Sequence, residues 1–354
     1  MMPMEISALG LMSGSSLDGL DLAFCRFTYH ENKWNYTIEQ AETIPYPVNW
    51  TNKLTKAHLL PASELLQLDV EYGTYLGEVA RFFIDKHHLA PDLIASHGHT
   101  IFHEPHQGFS FQLGKGSYIA QTSGKITVSD FRNTDILHGG QGAPLVPIGD
   151  ELLFREYSAC INVGGIANIS YRNGDNRIGY DVCAANQLLN ALSMEMDLTY
   201  DENGKIASTG IVIKNLLQQL NDDPFFTTAK PKSLSNQVVK NKFVNAVISY
   251  KDSIPNRLAT VVQHISQQLA HELNQLETGK ILITGGGAHN AFLMESISKL
   301  IQHELIVPNK TVVDFKEALI FAFMGVLRIQ NQINCLASVT GARYDSSSGI
   351  IDHS

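Results

Sequence analysis

Residues 6–12 (ISALGLM), 13–19 (SGSSLDG) and 20–27 (LDLAFCRF) follow one another as an apolar run, a small polar turn and a second apolar run. Runs of this length, broken by Gly, Ser and Asp, predict a β-hairpin. About 150 residues on, the layout returns: 159–163 (ACINV), the turn Gly164-Gly165, then 166–171 (IANISY), ending at Asn173-Gly174. Two halves that open alike predict an α/β chain of two similar lobes facing a cleft, a repeat visible in layout more than in identical letters.

The 354 residues suit about two domains of roughly 150 residues, enough to bury a core without staples. Hydrophobic residues at 44% and charged residues at 17% exclude a disordered chain. The 26 Lys and Arg against 35 Asp and Glu leave a net charge of −9, the wrong sign for nucleic acid as a partner. Cys25, Cys160, Cys183 and Cys335 are widely spaced, with no CxxC pair, so neither a disulfide framework nor a cysteine zinc knuckle is expected. No basic segment leads into a long apolar stretch at the N-terminus, and no window of 18 uninterrupted apolar residues occurs. No membrane partner and a cytoplasmic location are therefore expected.

Helical spacing of apolar residues marks 63–88, although Gly73 and Gly77 weaken it, and 256–278, which Gly279 ends. A strand at 280–284 meets Gly285-Gly286-Gly287-Ala288-His289-Asn290 and then a helix from residue 291. Asp314 and Glu317 read as a capping box for a helix over 318–329.

Glycine turns between strands let backbone N–H groups approach a phosphate, because no Cβ intervenes. Three such turns occur: 13–19, Gly164-Gly165 and Gly285 to Gly287. None matches GxxxxGK(S/T), and a strand follows the first, which disfavours a Walker-type site. His97, His99, His103 and His106 invite a metal reading, but no matching ligand set recurs downstream, and no metal centre is expected there. Asp130, Arg132 and Asp135 precede Gly139-Gly140-Gln141-Gly142. Arg132 either pairs with Asp130 or Asp135 or uses its planar fork to grip a sugar's hydroxyls and carboxylate. Asp181 ends an apolar run and reads either as the N-cap of a helix over 183–194 or as a base in phosphoryl transfer.

The stretch from Gly10 to Asp21, GLMSGSSLDGLD, resembles the GLMSGTSxDGxD signature of the anhydro-N-acetylmuramic acid kinases. In family order follow SHGHT from Ser96, similar to SHGQT; DFR from Asp130 and GGQGAPLVP from Gly139; NVGGIAN from Asn162; TGGGAHN from Thr284; and Glu317-Ala318 with Phe321-Ala322, similar to EAxxFA. The motifs span residues 10 to 322. Departures are Ser15 for threonine, His99 for glutamine, Val182-Cys183-Ala184-Ala185-Asn186 for TGPGN, and Lys232-Ser233-Leu234-Ser235-Asn236-Gln237 for KSTGRE.

The resemblance implies two RNase-H-like lobes of the actin, hexokinase and Hsp70 type around a nucleotide cleft. It divides the chain into 1–135, completed by 325–354, and 136–324. It implies ATP and Mg²⁺ as cofactors, an anhydro-amino-sugar as substrate and a homodimer. The activity implied is a kinase that opens 1,6-anhydro-N-acetylmuramic acid with water and phosphorylates O6 during peptidoglycan recycling. Asp181 would be the catalytic base. Gly14, Ser15, Ser16, Leu17, Asp18, Gly19, Leu20 and Asp21, with Gly164, Gly165, Gly285, Gly286, Gly287 and Asn290, would bind the nucleotide. His97, Asp130, Arg132, Gln141 and Glu317 would bind the sugar. The alternatives are another sugar or carboxylate kinase of the superfamily, or a nucleotide-dependent switch, which has no need of the polar pocket that Asp130, Arg132 and Gln141 suggest.

Overall fold

A computed structural model of the protein describes residues 4–14 and 17–354. The chain forms two compact units, Met1–Leu153 with Phe315–Ser354, and Phe154–Asp314. The boundaries at 135/136 and 324/325 expected from the sequence fall elsewhere, because residues 136–153 and 315–324 pack within the first unit. Gln141 donates its backbone N–H to Thr340 O at 2.9 Å. Buried Lys316 pairs with buried Asp150 at 2.6 Å, and a Cβ on Gly149 would lie 2.4 Å from Ile320.

In the first unit, β1 (Met4–Ser13), β2 (Gly19–His30) and β3 (Lys33–Pro45) form an antiparallel meander. Next comes β4 (Leu93–Ser96), parallel to β1. A separate hairpin of β5 (His99–Glu104) and β6 (Phe109–Leu113) intervenes. Then β7 (Thr127–Ser129) pairs parallel with β4. The sheet order is β3-β2-β1-β4-β7, with the C-terminal strand Ile350–Asp352 antiparallel outside β7.

β1 is buried on both faces because helices cover both. Leu9 and Leu11 join Tyr72, Leu76 and Phe83 of the Ala62–Lys86 helix in one core. On the other face the Lys310–Ile329 helix approaches so closely that a Cβ on Gly10 would sit 1.9 Å from Ala318 O. Gly73 and Gly77, which read as weak points in a helix, are where the Gly116–Ser123 helix packs. A Cβ there would meet Lys115 O and Thr122 Cβ, each at 2.7 Å.

The second unit repeats the plan. Its strands are β8 (Ala159–Val163), β9 (Ile166–Asn173), β10 (Asn176–Ala184), β11 (Lys280–Thr284) and β12 (Glu304–Ile306). They lie in the order β10-β9-β8-β11-β12. β8, β9 and β10 are antiparallel, and β11 runs parallel to β8 and to β12. A meander followed by strands parallel to its first member, in the same order twice, gives the two similar lobes that the repeated hairpin predicts and the RNase-H-like topology that the resemblance implies. The core under this sheet includes Leu258, Val261, Val262, Ile265 and Leu269 from the Ile254–Leu273 helix.

The capping box predicted at Asp314 and Glu317 does not form. The helix starts at Lys310, more than two turns before the expected start at Ala318, and Asn309 Oδ1 caps it by accepting from Val312 N at 3.0 Å. Glu317 is thereby left inside the helix, without a capping role. No helix among the described residues is long and apolar enough to cross a membrane.

Candidate active site

In the second unit, parallel pairing aligns Thr284 of β11 with Asn162 of β8, so both strands end at one edge, and both run into glycine turns. Gly285 has φ +82°, a conformation open to glycine, and a Cβ would lie 2.4 Å from Asn162 Oδ1. A Cβ on Gly287 would lie 2.3 Å from Val163 Cγ1, whereas one on Gly286 would meet nothing nearer than Asn186 Nδ2 at 3.6 Å. The outer two glycines therefore allow the turns to close on each other. Gly286 and Gly164 leave the surface free of side chains, which fits a phosphate or a ribose. The Gly164 and Gly165 carbonyls accept from Asn186 N at 3.1 Å and Ala185 N at 2.9 Å, anchoring the turn to the start of the Asn186–Met194 helix. Asn290 Oδ1 is committed as the cap of the Ala291–Ser298 helix, accepting from Leu293 N at 3.0 Å.

Asp181 lies on this side of the second sheet. It is within β10, three residues before Ala184, which pairs with Ile166 directly after the Gly164-Gly165 turn. The helix N-cap alternative does not hold, because β10 continues to Ala184 and the helix starts at Asn186. Its Oδ2 accepts from Leu234 N at 2.8 Å and Ser233 Oγ at 3.1 Å, and its backbone N–H donates to Lys232 O at 3.0 Å. Burial raises the carboxyl above the ordinary aspartate value, while the two donors pull the other way.

In the first unit, Arg132 pairs with neither Asp130 nor Asp135. Its Nη1 donates to Gly142 O at 2.6 Å and its Nη2 lies 2.7 Å from His97 Nε2. His97 Nδ1 is 2.9 Å from Gly98 O, and a carbonyl only accepts, so Nδ1 carries the proton and Nε2 accepts from the guanidinium. Burial pushes His97 down to about 3, so the ring is neutral. Burial also lowers Arg132 to about 10, opposed by the Glu317 carboxylate, and Arg132 Nε is buried without a hydrogen-bond partner among the described residues. Glu317 is raised by burial and held back by Lys316 and Arg132.

His97 lines a cavity of about 250 Å³ together with Ser96, Gln112, Lys115, Asp130 and Asp352. Asp130 holds φ +55° and accepts from Asn133 Nδ2 at 2.8 Å. Gln141 is exposed on the glycine loop. Asp135 organises that loop from within, accepting from Gly142 N (2.8 Å) and Thr340 Oγ1 (2.7 Å).

Of the first turn, Ser15 and Ser16 lie outside the described residues. Gly14 is half-buried and Asp18 exposed. Leu17 packs on the core and Leu20 is 1% exposed within it, so neither offers a side-chain polar atom to a ligand. Gly19 has a structural reason of its own, since a Cβ would lie 2.7 Å from Ile44 O. Asp21 Oδ1 accepts from Thr43 Oγ1 at 2.5 Å. No group of three or more His, Cys, Asp or Glu side chains able to hold a metal exists among the described residues. His99, from the histidine run, instead meets Ser13 Oγ at 2.9 Å.

The sequence profile of a family described as anhydro-N-acetylmuramic acid kinase matches residues 6–353. The chain belongs to this family. Among its relatives, the anhydro-N-acetylmuramic acid kinase of Actinobacillus pleuropneumoniae serotype 7 is 34% identical over 369 residues, covering 97% of this chain and 98% of that protein. The Pasteurella multocida enzyme is 34% identical over 364 residues, covering 97% and 96%. That of Francisella tularensis subsp. novicida is 33% identical over 364 residues, covering 95% of each.

Measured against the anhydro-N-acetylmuramic acid kinase motifs, the residues on either side of the Val182 to Asn186 departure contact the Lys232 to Gln237 departure. Asp181, followed by Val182 to Asn186, takes its hydrogen bonds from Ser233 and Leu234, and Gln187 Nε2 donates to Asn236 Oδ1 at 2.7 Å. The sequence reading did not assign Ser233 or Leu234 to the site. The Lys232-Ser233 pair carried a signal as a family motif, but its contact with Asp181 spans 52 residues of chain.

Proposed function

We propose that the chain is an ATP-dependent kinase that opens 1,6-anhydro-N-acetylmuramic acid and phosphorylates O6, giving N-acetylmuramic acid 6-phosphate. Asp181 takes a proton from water as the water oxygen attacks C1. The C1–O6 bond breaks, and O6 accepts the γ-phosphoryl group of ATP as ADP departs. A glycosidase that inverts needs a second carboxyl to protonate the leaving oxygen. Here the phosphoryl group captures that oxygen, so one base suffices.

The observation that carries this reading is Asp181 itself: a carboxylate fixed on one oxygen, raised by burial, on the strand next to the glycine turns. Gly164, Gly165 and Gly285 to Gly287 hold the nucleotide, with Asn290 shaping the turn. Mg²⁺, when bound with the nucleotide, would supply charge neutralisation on the phosphates. Arg132 offers its guanidinium charge to an acceptor on the sugar, with His97, Asp130, Gln141 and Glu317 as further polar contacts.

In ¹⁸O water, label appears at C1 of the product; unlabelled product would instead mean transfer to a free hydroxyl. Asp181→Asn abolishes turnover and retains ATP binding by calorimetry, and near-parental turnover would remove Asp181 from this role.

A further inference from the structure

Lys232 has no part in the reaction above, yet its side chain is only 2% exposed. Burying an ammonium costs several kcal/mol unless it is well solvated by the protein. Here Nζ lies 3.4 Å from the carbonyl oxygens of both Phe225 and Phe226, 4.7 Å from the Phe225 ring centroid and 3.9 Å from Glu272 Oε1. Glu272, 4% exposed, also accepts from Tyr180 OH at 2.8 Å and pairs with Lys230. Tyr180 immediately precedes Asp181. The one buried carboxylate therefore ties β10 to the 230–232 segment on the side away from the Asp181 carboxyl.

From that anchor the chain continues straight onto Asp181. Lys232 O accepts the Asp181 N–H, then Ser233 Oγ and Leu234 N both donate to Oδ2. Beyond them Leu234 is buried in the core, and Ser235 Oγ caps the next short helix by accepting from Val238 N at 3.2 Å. Both ends of the three-residue segment are pinned. Among the described residues, Oδ1 receives no hydrogen bond.

We propose that Lys232 and Ser233 are positioning residues for Asp181: the buried lysine locks the segment whose Ser233 hydroxyl and Leu234 N–H occupy Oδ2, leaving Oδ1 as the basic oxygen. The inference rests on the assignment of Asp181 as base. The titratable group that interacts with this carboxyl is Cys183 on its own strand, while Glu272 of the Ile254–Leu273 helix, with Lys230 and Lys232 beside it, lies on the side away from the carboxyl. Glu272 offsets one of the two ammonium charges. The Ser233 donor favours the ionised carboxyl, so its loss shifts ionisation upward.

The test compares the full-length parent with Ser233→Ala, Ser233→Thr, Lys232→Met and Asp181→Asn, using ATP and the anhydro-sugar. Ser233→Ala moves the acid limb of the kcat–pH profile up by about half a unit to one unit, with KM for ATP unchanged. Ser233→Thr, which restores the hydroxyl, returns the limb to its parental position. Lys232→Met lowers kcat by about tenfold or more at an unchanged KM for ATP, as expected when a base loses its orientation. An unmoved limb in Ser233→Ala, or a limb in Ser233→Thr that stays with alanine, overturns the proposal. If Asp181→Asn turns over normally, the assignment of the base fails, an outcome separate from either serine result.

Discussion

Among the described residues Arg132 donates to neutral acceptors, Gly142 O and His97 Nε2, so its charge is not spent on a direct ion pair. Burial makes that arrangement costly unless an acceptor answers the charge. A lysine would keep the charge but lose the fork that reaches His97, Gly142 and the ligand together. Arg132→Lys therefore raises KM for the anhydro-sugar by about ten- to a hundredfold, the equivalent of one charge-assisted hydrogen bond of about 1.5–3 kcal/mol, and leaves KM for ATP alone. Equal changes in both constants would mean that Arg132 holds the fold and not the sugar. In the sequence, Arg132 was legible as a ligand-or-ion-pair choice. The ion pair with Asp130 or Asp135 is excluded by His97 and Gly142, whose contacts depend on how β4 and the glycine loop are brought together.

At the scale of elements, the hairpin strands and the long helices were legible because each writes its period into neighbouring residues. The glycines misled for the same reason. Propensity treats Gly73 and Gly77 as local defects, but their purpose is the approach of the Gly116–Ser123 helix about 40 residues on. The start of the Lys310–Ile329 helix was misplaced similarly, since a plausible capping box at Asp314 lay within reach while the true cap, Asn309, sits a turn upstream. The competition at Gly73 has a sign that magnitudes decide. Alanine gains about 1 kcal/mol in helix propensity, whereas a Cβ 2.7 Å from Lys115 O forces backbone apart, and overpacking costs about 1–3 kcal/mol. Gly73→Ala thus lowers the urea midpoint despite its better propensity; a raised midpoint would show that the helices separate without cost.

Taken over the whole molecule, the same five-strand order built twice gives two cores, and each buries histidines that folding keeps neutral. Burial lowers His97 to about 3 and His99 to about 4 in the first unit, and His264 to about 4 in the second. The unfolded chain binds these protons near the ordinary value of 6.5 and the folded chain does not, so their contribution is fully present above pH 6.5 and is lost as pH falls toward 4. Each such histidine costs up to about 1.4 kcal/mol per pH unit in that window. Asp69, Asp181 and Glu317, raised by burial, act with the opposite sign, because their protonation favours the folded state. A comparison of variants separates the two. His99 occupies the place of the family's glutamine, which does not titrate, so His99→Gln removes one histidine contribution and leaves the carboxylates in place. The stability of His99→Gln relative to the parent therefore improves by about 2 kcal/mol between pH 6.5 and pH 5, read from urea unfolding at each pH. The sign of that change is independent of what the lost Ser13–His99 contact costs at neutral pH, because that cost is common to both conditions. A difference that stays flat across the window would mean that His99 is protonated in the folded protein at pH 5, and that the acid sensitivity of the first unit has another source.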